Sequence, residues 1–481
     1  MLRVFPVPTG ESVSDDYEVR LNGILVNCYR CRVSAMSFNR PWPGHERPLN
    51  QTELSTFVSW ASDETVDVEV TVNKDFSEVS LRPLSENIQV EVSGRTIKFK
   101  LPPEGQYSLE IDGRHNNLQL FSNPLVDYAI DENTLYFGKG VHEIDKLVLH
   151  SGQTLFIDAG AVVYAKTIRA YDCENISIVG YGILDFSHYE RTVNDVFVEE
   201  DSGSVTFVRC KNIRIDGVIL RDATWWTVTA INCQNVYYDN LKVIGMWRYN
   251  SDGVDFVNSE NVSVKNSFIR SFDDSIVLKG LNKRRNGKYF EWYECMNVRN
   301  YLIENCVVWC DWGGALEIGA ETVADEYTNI VFRNCDIIKN STGAMRLNCG
   351  DRAVIHGILY DNINVEYSKY DREPIFQNSD DMLYQPSEKP FSANVVSQNL
   401  WWGPWTDGDP NYGKIYDIIY RNISVVSDNE NEQPEMHFDG ANADRNISGI
   451  VIENYTINKK RQIYATSKIY TNRFVENIDV K

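Results

Sequence analysis

A strand–turn–strand unit recurs nine times in the C-terminal two thirds of this chain, and few folds admit such a pattern. The units read ENISIVGYGILDF around Gly180, KNIRIDGVILRD around Gly217, QNVYYDNLKVIG around Asn240 and ENVSVKNSFIRS around Asn266. They continue as RNYLIENCVVWC at Asn305, TNIVFRNCDIIK at Asn334, HGILYDNINVEY at Asn362, YDIIYRNISVVS at Asn422 and SGIVIENYTINK at Asn454. Spacings between these anchors are 37, 23, 26, 39, 29, 28, 60 and 32 residues. A base unit in the twenties with insertions is the mark of a right-handed parallel β-helix, whose coils stack because none buries its apolar face alone. Nine units and one opening coil predict about ten coils. Asn suits the turn because it tolerates left-handed backbone and can ladder its amide from coil to coil. A second sandwich would instead show short hairpin turns and no fixed Asn register.

The N-terminal texture is different. VDVEVTV, EVSLRP, NIQVEV, TIKFKL, YSLEI and NLQLF alternate apolar and polar residues between turn signals such as Ser93-Gly94 and Asp112-Gly113. Period-two alternation of that kind predicts an antiparallel sandwich with one wet face. The chain is therefore expected to be all-β, with residues 1–124 as a β-sandwich and 125–481 as the β-helix. Support of the second domain or sugar binding are the roles open to the first.

Composition narrows the partners. A net charge of -21 argues against nucleic acid and anionic membranes, which need basic faces. No segment has the roughly 20 consecutive apolar residues of a membrane span. The first residues, MLRVFPVPTGESVSDDYEV, place Pro, Gly and acids where a secretory peptide carries its apolar stretch, so cytoplasmic residence is the expectation. Ten scattered cysteines then read as reduced thiols. Cys28 and Cys31, three residues apart in an extended strand, would face opposite sides, and Cys306 and Cys335 would stack in neighbouring coils. Histidines occur singly, which gives no metal site and no nucleophile–base pair, and no cofactor is expected.

Chemistry concentrates between Arg248 and Gly280. NSDGVD holds Asp252 and Asp255, and FDDS holds Asp273 and Asp274, about one coil later. Neighbouring parallel strands lie about 4.8 Å apart, so one turn of the coil sets Asp252 beneath the Asp273–Asp274 pair. Carboxylates so crowded cannot all ionise, and a carboxyl flanked by two others, Asp273, is the one to retain its proton. One protonated acid beside ionised bases is what glycoside hydrolysis requires. Adjacent strand residues point to opposite faces, so an irregular backbone at 273–274 is needed for both to reach one cleft.

NSDGVD, FDDSIVLK, GGALEIG and AMRLN, in that order on a β-helix, resemble the clan of inverting glycosidases that contains polygalacturonases (family 28) and dextranases (family 49). The resemblance covers residues 127–481, and an N-terminal sandwich is similar to the dextranase arrangement. It implies that Asp273 is the general acid, and that Asp252 and Asp274 hold and deprotonate the attacking water. Substrate-binding roles are expected for Trp247, Arg248, Asn250, Trp312, Glu317, Arg346 and Asn348. Two departures stand out. The GHG motif of polygalacturonases matches Gly313-Gly314-Ala315, without a His, and their RIK motif matches Arg346-Leu347-Asn348, without the Lys. A neutral sugar, or a uronate held differently, follows.

Nine of the eleven Trp lie in the second domain: Trp225, Trp226, Trp247, Trp292, Trp309, Trp312, Trp401, Trp402 and Trp405. Such rings line sugar subsites or fill cores. Arg248 has two readings, a charge-assisted bond to a carboxylate or sugar hydroxyl, or a solvated surface position. The long segment between Asn362 and Asn422 reads as a wall or lid over the cleft. An oligo- or polysaccharide is the expected partner; a polysaccharide lyase and a non-catalytic carbohydrate-binding β-helix are the rival readings. Oligomeric state is unspecified.

Overall fold

The computed structural model describes residues 1–35, 47–190, 204–285, 288–289, 291–374, 386–390, 394–400, 413–428 and 433–481. Among these residues the chain is nearly all β. Thirty-one strands, from Thr134–Phe137 to Val475–Val480, join into one continuous, almost wholly parallel stack. The repeat explains it directly: Ile176, Ile213, Val236, Val262, Tyr301, Ile330, Ile358, Ile418 and Ile450 occupy one register position in successive coils. All are buried, and their ladder runs the length of the core. The stack through this face holds twelve strands rather than ten. Both Thr134–Phe137 and Thr154–Ile157 precede the first repeat, and Val475–Val480 follows the last.

The turn chemistry follows the sequence. Asn240, Asn266, Asn305, Asn334, Asn362, Asn422 and Asn454 all adopt positive φ. Asn305 Nδ2 donates to Asn266 Oδ1 at 3.0 Å, and Asn362 Nδ2 to Asn334 Oδ1 at 2.8 Å. A second ladder, not anticipated, runs through Asn175, Asn212, Asn235, Asn261, Asn300 and Asn329, each amide donating to the previous one at 2.7–3.1 Å. These also have left-handed backbone, which L side chains other than Asn and Asp rarely accept.

Ahead of the helix, a six-stranded and a five-stranded sheet enclose one core of Val19, Leu21, Trp60, Val68, Val70, Leu109 and Leu120. Cys28 sits in that core, whereas Cys31 faces the helix, as alternation predicts. A shared apolar layer joins the sheets to the coils: Tyr29, Phe57 and Phe121 meet Ile219, Ile244, Phe268 and Trp309. Beside it lies a buried ionic network in which Arg82 pairs with Glu110 at 2.9 Å and also with Glu366, and Arg114 bridges Glu110 and Asp371 at 2.8 and 3.0 Å. Removing one member of such a network strands a buried charge, so the two parts are firmly docked. All ten cysteines are free thiols, with Cys306 and Cys335 stacked and fully buried.

The long Asn362–Asn422 segment is not all loop. Asn394–Leu400 pairs in parallel with Gly343–Cys349 and Glu435–Asp439, so it is a strand of the coil itself. The expected wall or lid falls largely on residues outside the described set, as do Trp401, Trp402 and Trp405.

Candidate active site

Four successive coils build the site. Val254, Ile276, Leu316 and Met345 stack inward, which turns the alternate positions Asp255, Val277, Glu317 and Arg346 outward in a second column. Just before these strands the chain turns a corner, and the corners carry the remaining carboxylates. Extending the register back by two residues aligns Asp252 with Asp274, and Gly253 N–H donates to the Asp274 carbonyl at 2.8 Å.

The Asp273–Asp274 corner is irregular, as two adjacent functional side chains require. Strand Phe268–Ser271 ends before it and Ile276–Gly280 begins after it. Ser271 Oγ donates to the Asp273 carbonyl at 2.5 Å and contacts Ser275 Oγ at 2.7 Å, so hydroxyls replace the lost ladder bonds. Gly314 N–H donates to Asp274 Oδ1 at 2.9 Å. A Cβ on Gly313 would come within 2.3 Å of the Asp274 nitrogen, which accounts for glycine there.

Ionisation divides the pair. Burial, and then the neighbouring Asp274 charge, push Asp273 up to about 8. Burial also opposes ionisation of Asp274, but Lys279, Arg346 and hydrogen bonds from Glu317 and Gly314 outweigh it and hold Asp274 below the usual carboxylate range. Asn250 Nδ2 stands 3.4 Å from Asp273 Oδ2.

Lys279 is the centre that sequence reasoning missed. Its Nζ lies 2.8 Å from Asp252, 3.0 Å from Asp255 and 3.7 Å from Asp274, and 4.0 Å from the centroid of the Trp226 ring. Burial alone would lower its pKa, yet Asp252 and Asp255 hold it well above the ordinary value. Burial in turn raises Asp252, and raises Asp255 to about 7, against the pull of Lys279. The signal was present: in VDFV and IVLKG the inward residues are Val254, Phe256, Ile276 and Leu278, which leaves Asp255 and Lys279 on the outer face.

The other expected residues separate into two groups. Glu317, Arg346 and Asn348 join the carboxylates: Arg346 Nη1 donates to Glu317 Oε2 at 3.1 Å and lies 3.7 Å from Asp274, and Asn348 Nδ2 donates to Glu317 Oε1 at 3.2 Å. Asn250, Asp273, Trp312 and Arg346 are partly exposed and form the accessible floor, whereas Asp252, Asp274, Glu317 and Asn348 are buried behind them. Trp312 rests against Phe272, ring centroids 5.7 Å apart, and Arg47, from a connection in the N-terminal part of the chain, lies over the same Phe272 at 4.6 Å.

Of the two readings of Arg248, the structure shows the bond to a carboxylate, and Trp247 lies buried beside it. Both are buried, and both bond Asp222 of the preceding coil, Trp247 Nε1 at 2.9 Å. Arg248 also covers the Trp247 ring at 4.3 Å. The carboxylate that Arg248 takes is therefore Asp222, 26 residues earlier and next in the stack. Trp309 is fully buried at the junction with the sheets, beneath Arg270 at 4.2 Å, so it fills a core.

Residues 158–401, just over half of the chain, match the sequence pattern of Glycosyl hydrolases family 28. The chain belongs to this family. A polygalacturonase of Arabidopsis thaliana is 26% identical over 184 residues, 37% of each chain. An exopolygalacturonase of Cochliobolus carbonum is 24% identical over 194 residues, 37% of this chain and 39% of the relative. The similarity thus spans less than two fifths of either relative's length. Among solved structures, Dex49A from Penicillium minioluteum shares the fold over 99% of this chain and 90% of its own, with TM-score 0.60 and 12% identity. A hyperthermoactive exopolygalacturonase from Thermotoga maritima covers 72% of this chain and 84% of its own, with TM-score 0.50 and 16% identity.

Proposed function

We propose that this family 28 member is an inverting O-glycoside hydrolase acting on oligo- or polysaccharide. The observation that carries the reading is the opposite ionisation of two adjacent side chains, Asp273 raised to about 8 and Asp274 lowered. Asp273, protonated at neutral pH and partly exposed, gives its proton to the leaving glycosidic oxygen. Asp274, ionised and aligned with Asp252 in the adjoining coil, accepts a proton from the attacking water. Lys279 draws Asp252, Asp255 and Asp274 together and keeps the cluster from expelling its own charge. Two convergent carboxylates suit a water gripped between them, whereas a direct nucleophile gains nothing from a second carboxylate at its side.

A lyase needs an unprotonated basic group to remove a carbon-bound proton. Lys279 is held protonated by its carboxylates, and Arg346 is a guanidinium, so neither fills that role. Proton NMR of the first-formed product is the test. Appearance of the anomer opposite to the substrate supports the reading; the same anomer removes the water-gripping role of Asp252 and Asp274. An unsaturated, ultraviolet-absorbing product assigns a lyase instead, and absence of any cleavage across a glycoside panel leaves a binding protein.

A further inference from the structure

We infer that Glu317 is a built-in carboxyl just beneath the cleft floor, which engages Arg346 and Asn348 and confines the substrate above them to an uncharged sugar. The inference rests on the hydrolase reading above for its context and adds the substrate class. Three observations carry it. First, Arg346 and Asn348 both spend a donor on Glu317, one on each carboxyl oxygen, at 3.1 and 3.2 Å. This is the two-donor, two-oxygen geometry by which proteins grip a ligand carboxylate. Asn399 Nδ2 donates to Asn348 Oδ1 at 3.1 Å, so the amide is fixed with its nitrogen toward Glu317.

Second, space has been cleared for Glu317. A Cβ on Gly314 would lie 2.1 Å from Glu317 Oε2, so the bare glycine is what admits the carboxyl. The side chain is 1% exposed, held behind the floor and out of solvent.

Third, the cations nearest the floor are already paired with carboxyl groups. Arg248 contacts Asp222, Lys279 contacts Asp252, Asp255 and Asp274, and Arg346 contacts Glu317 and Asp274. Glu317 and Asp274 are in hydrogen-bond contact, so that one proton shared between them leaves a single charge opposite Arg346. A uronate placed here brings another anion beside Glu317 and Asp274, and like charges at such range repel strongly.

The test separates this from the hydrolase reading. Aryl glycosides are offered in pairs that differ only at C6, hydroxymethyl against carboxylate, and binding of trigalacturonate is measured in parallel by calorimetry on the full chain. The wild type is expected to favour the hydroxymethyl member of its best pair at least 100-fold and to give no heat with trigalacturonate. Glu317→Gln, nearly isosteric and uncharged, is expected to narrow that preference at least tenfold and to acquire measurable trigalacturonate binding. Glu317→Ser, which opens the space beside Gly314, serves if the Gln variant does not fold. Micromolar trigalacturonate binding by the wild type, or a preference unchanged in both variants, overturns the inference. If no pair is cleaved, the hydrolase reading fails, while the calorimetry still decides whether Glu317 excludes the uronate.

Discussion

Lys279 Nζ lies 2.8 Å from Asp252 Oδ2, inside a cluster where one ammonium serves three carboxylates from two coils. The pair joins a strand to the corner of the coil before it, so the lysine is both a cross-brace and the charge that keeps Asp274 ionised. Lys279→Met should destabilise the fold by about 3–5 kcal/mol at neutral pH, because truncating one partner strands buried charge. Loss of Lys279 raises the carboxylate pKa values further, so lowering the pH protonates them and relieves the damage. Thermal melts at pH 7 and pH 5 should show the gap to wild type shrinking at pH 5; a constant gap would mean that the lysine acts through packing alone.

Asp273→Asn should keep the fold and lose on the order of 10²- to 10⁴-fold in activity on substrates with poor leaving groups, since the proton donor is gone. Good leaving groups, which need little protonation, should suffer less. Stability should move the other way. A carboxyl whose folded pKa is about 8 lies above its unfolded value, so it favours the native state only while protonated and erodes stability as pH rises from about 4 to about 8. The Asn variant escapes that erosion and should melt higher than wild type at pH 8 but not at pH 4. Equal melts at both would place Asp273 in a solvated, unperturbed setting.

Much of this was legible because it is written locally. The strand–Asn–strand units carry their own register, and the adjacent Asp273 and Asp274 can reach one side only from a broken strand. The second Asn ladder stood in the same words, at ENI, KNI, QNV and ENV, and its left-handed turns follow from the same property of Asn. Lys279 was readable from alternation in IVLKG. Other features depend on stacking. Arg248 meets Asp222 only because a coil of that length sets them side by side, and no local pattern distinguishes Trp309, buried beneath the sheets, from a cleft tryptophan. Asn394–Leu400 escaped because the strand carries no Asn turn of its own and is reached through a long insertion.

The Asn turns offer a test that separates backbone from side chain. Asn305 has φ 55° and donates its amide to Asn266 at 3.0 Å. Asn305→Ala loses the ladder bond and also carries a Cβ in left-handed backbone, together about 1.5–3 kcal/mol. Asn305→Gly accepts the backbone and loses only the bond, so denaturant unfolding should place it about 1 kcal/mol above the Ala variant. If Gly proves no better than Ala, the turn is held by the ladder and the φ contributes little.

The pH–rate profile tests how the charges are coupled. The proposed mechanism requires Asp273 protonated and Asp274 ionised, so kcat/KM should fall above about pH 8 as the acid is lost, and on the acid side only below the ordinary carboxylate range, as the base is lost. Arg346 lowers the pKa of both groups, lying 3.7 Å from Asp274 and acting on Asp273 through space. Arg346→Met removes that pull from each. Both limbs should therefore move to higher pH together, rather than the profile narrowing from one side. The acid limb should move further, because Asp274 is the nearer of the two to Arg346. A profile measured with a neutral aryl glycoside avoids titration of the substrate itself. Movement of the alkaline limb alone would show that Asp274 owes its ionisation to Lys279, and movement of neither would take Arg346 out of the electrostatics of the acid–base pair.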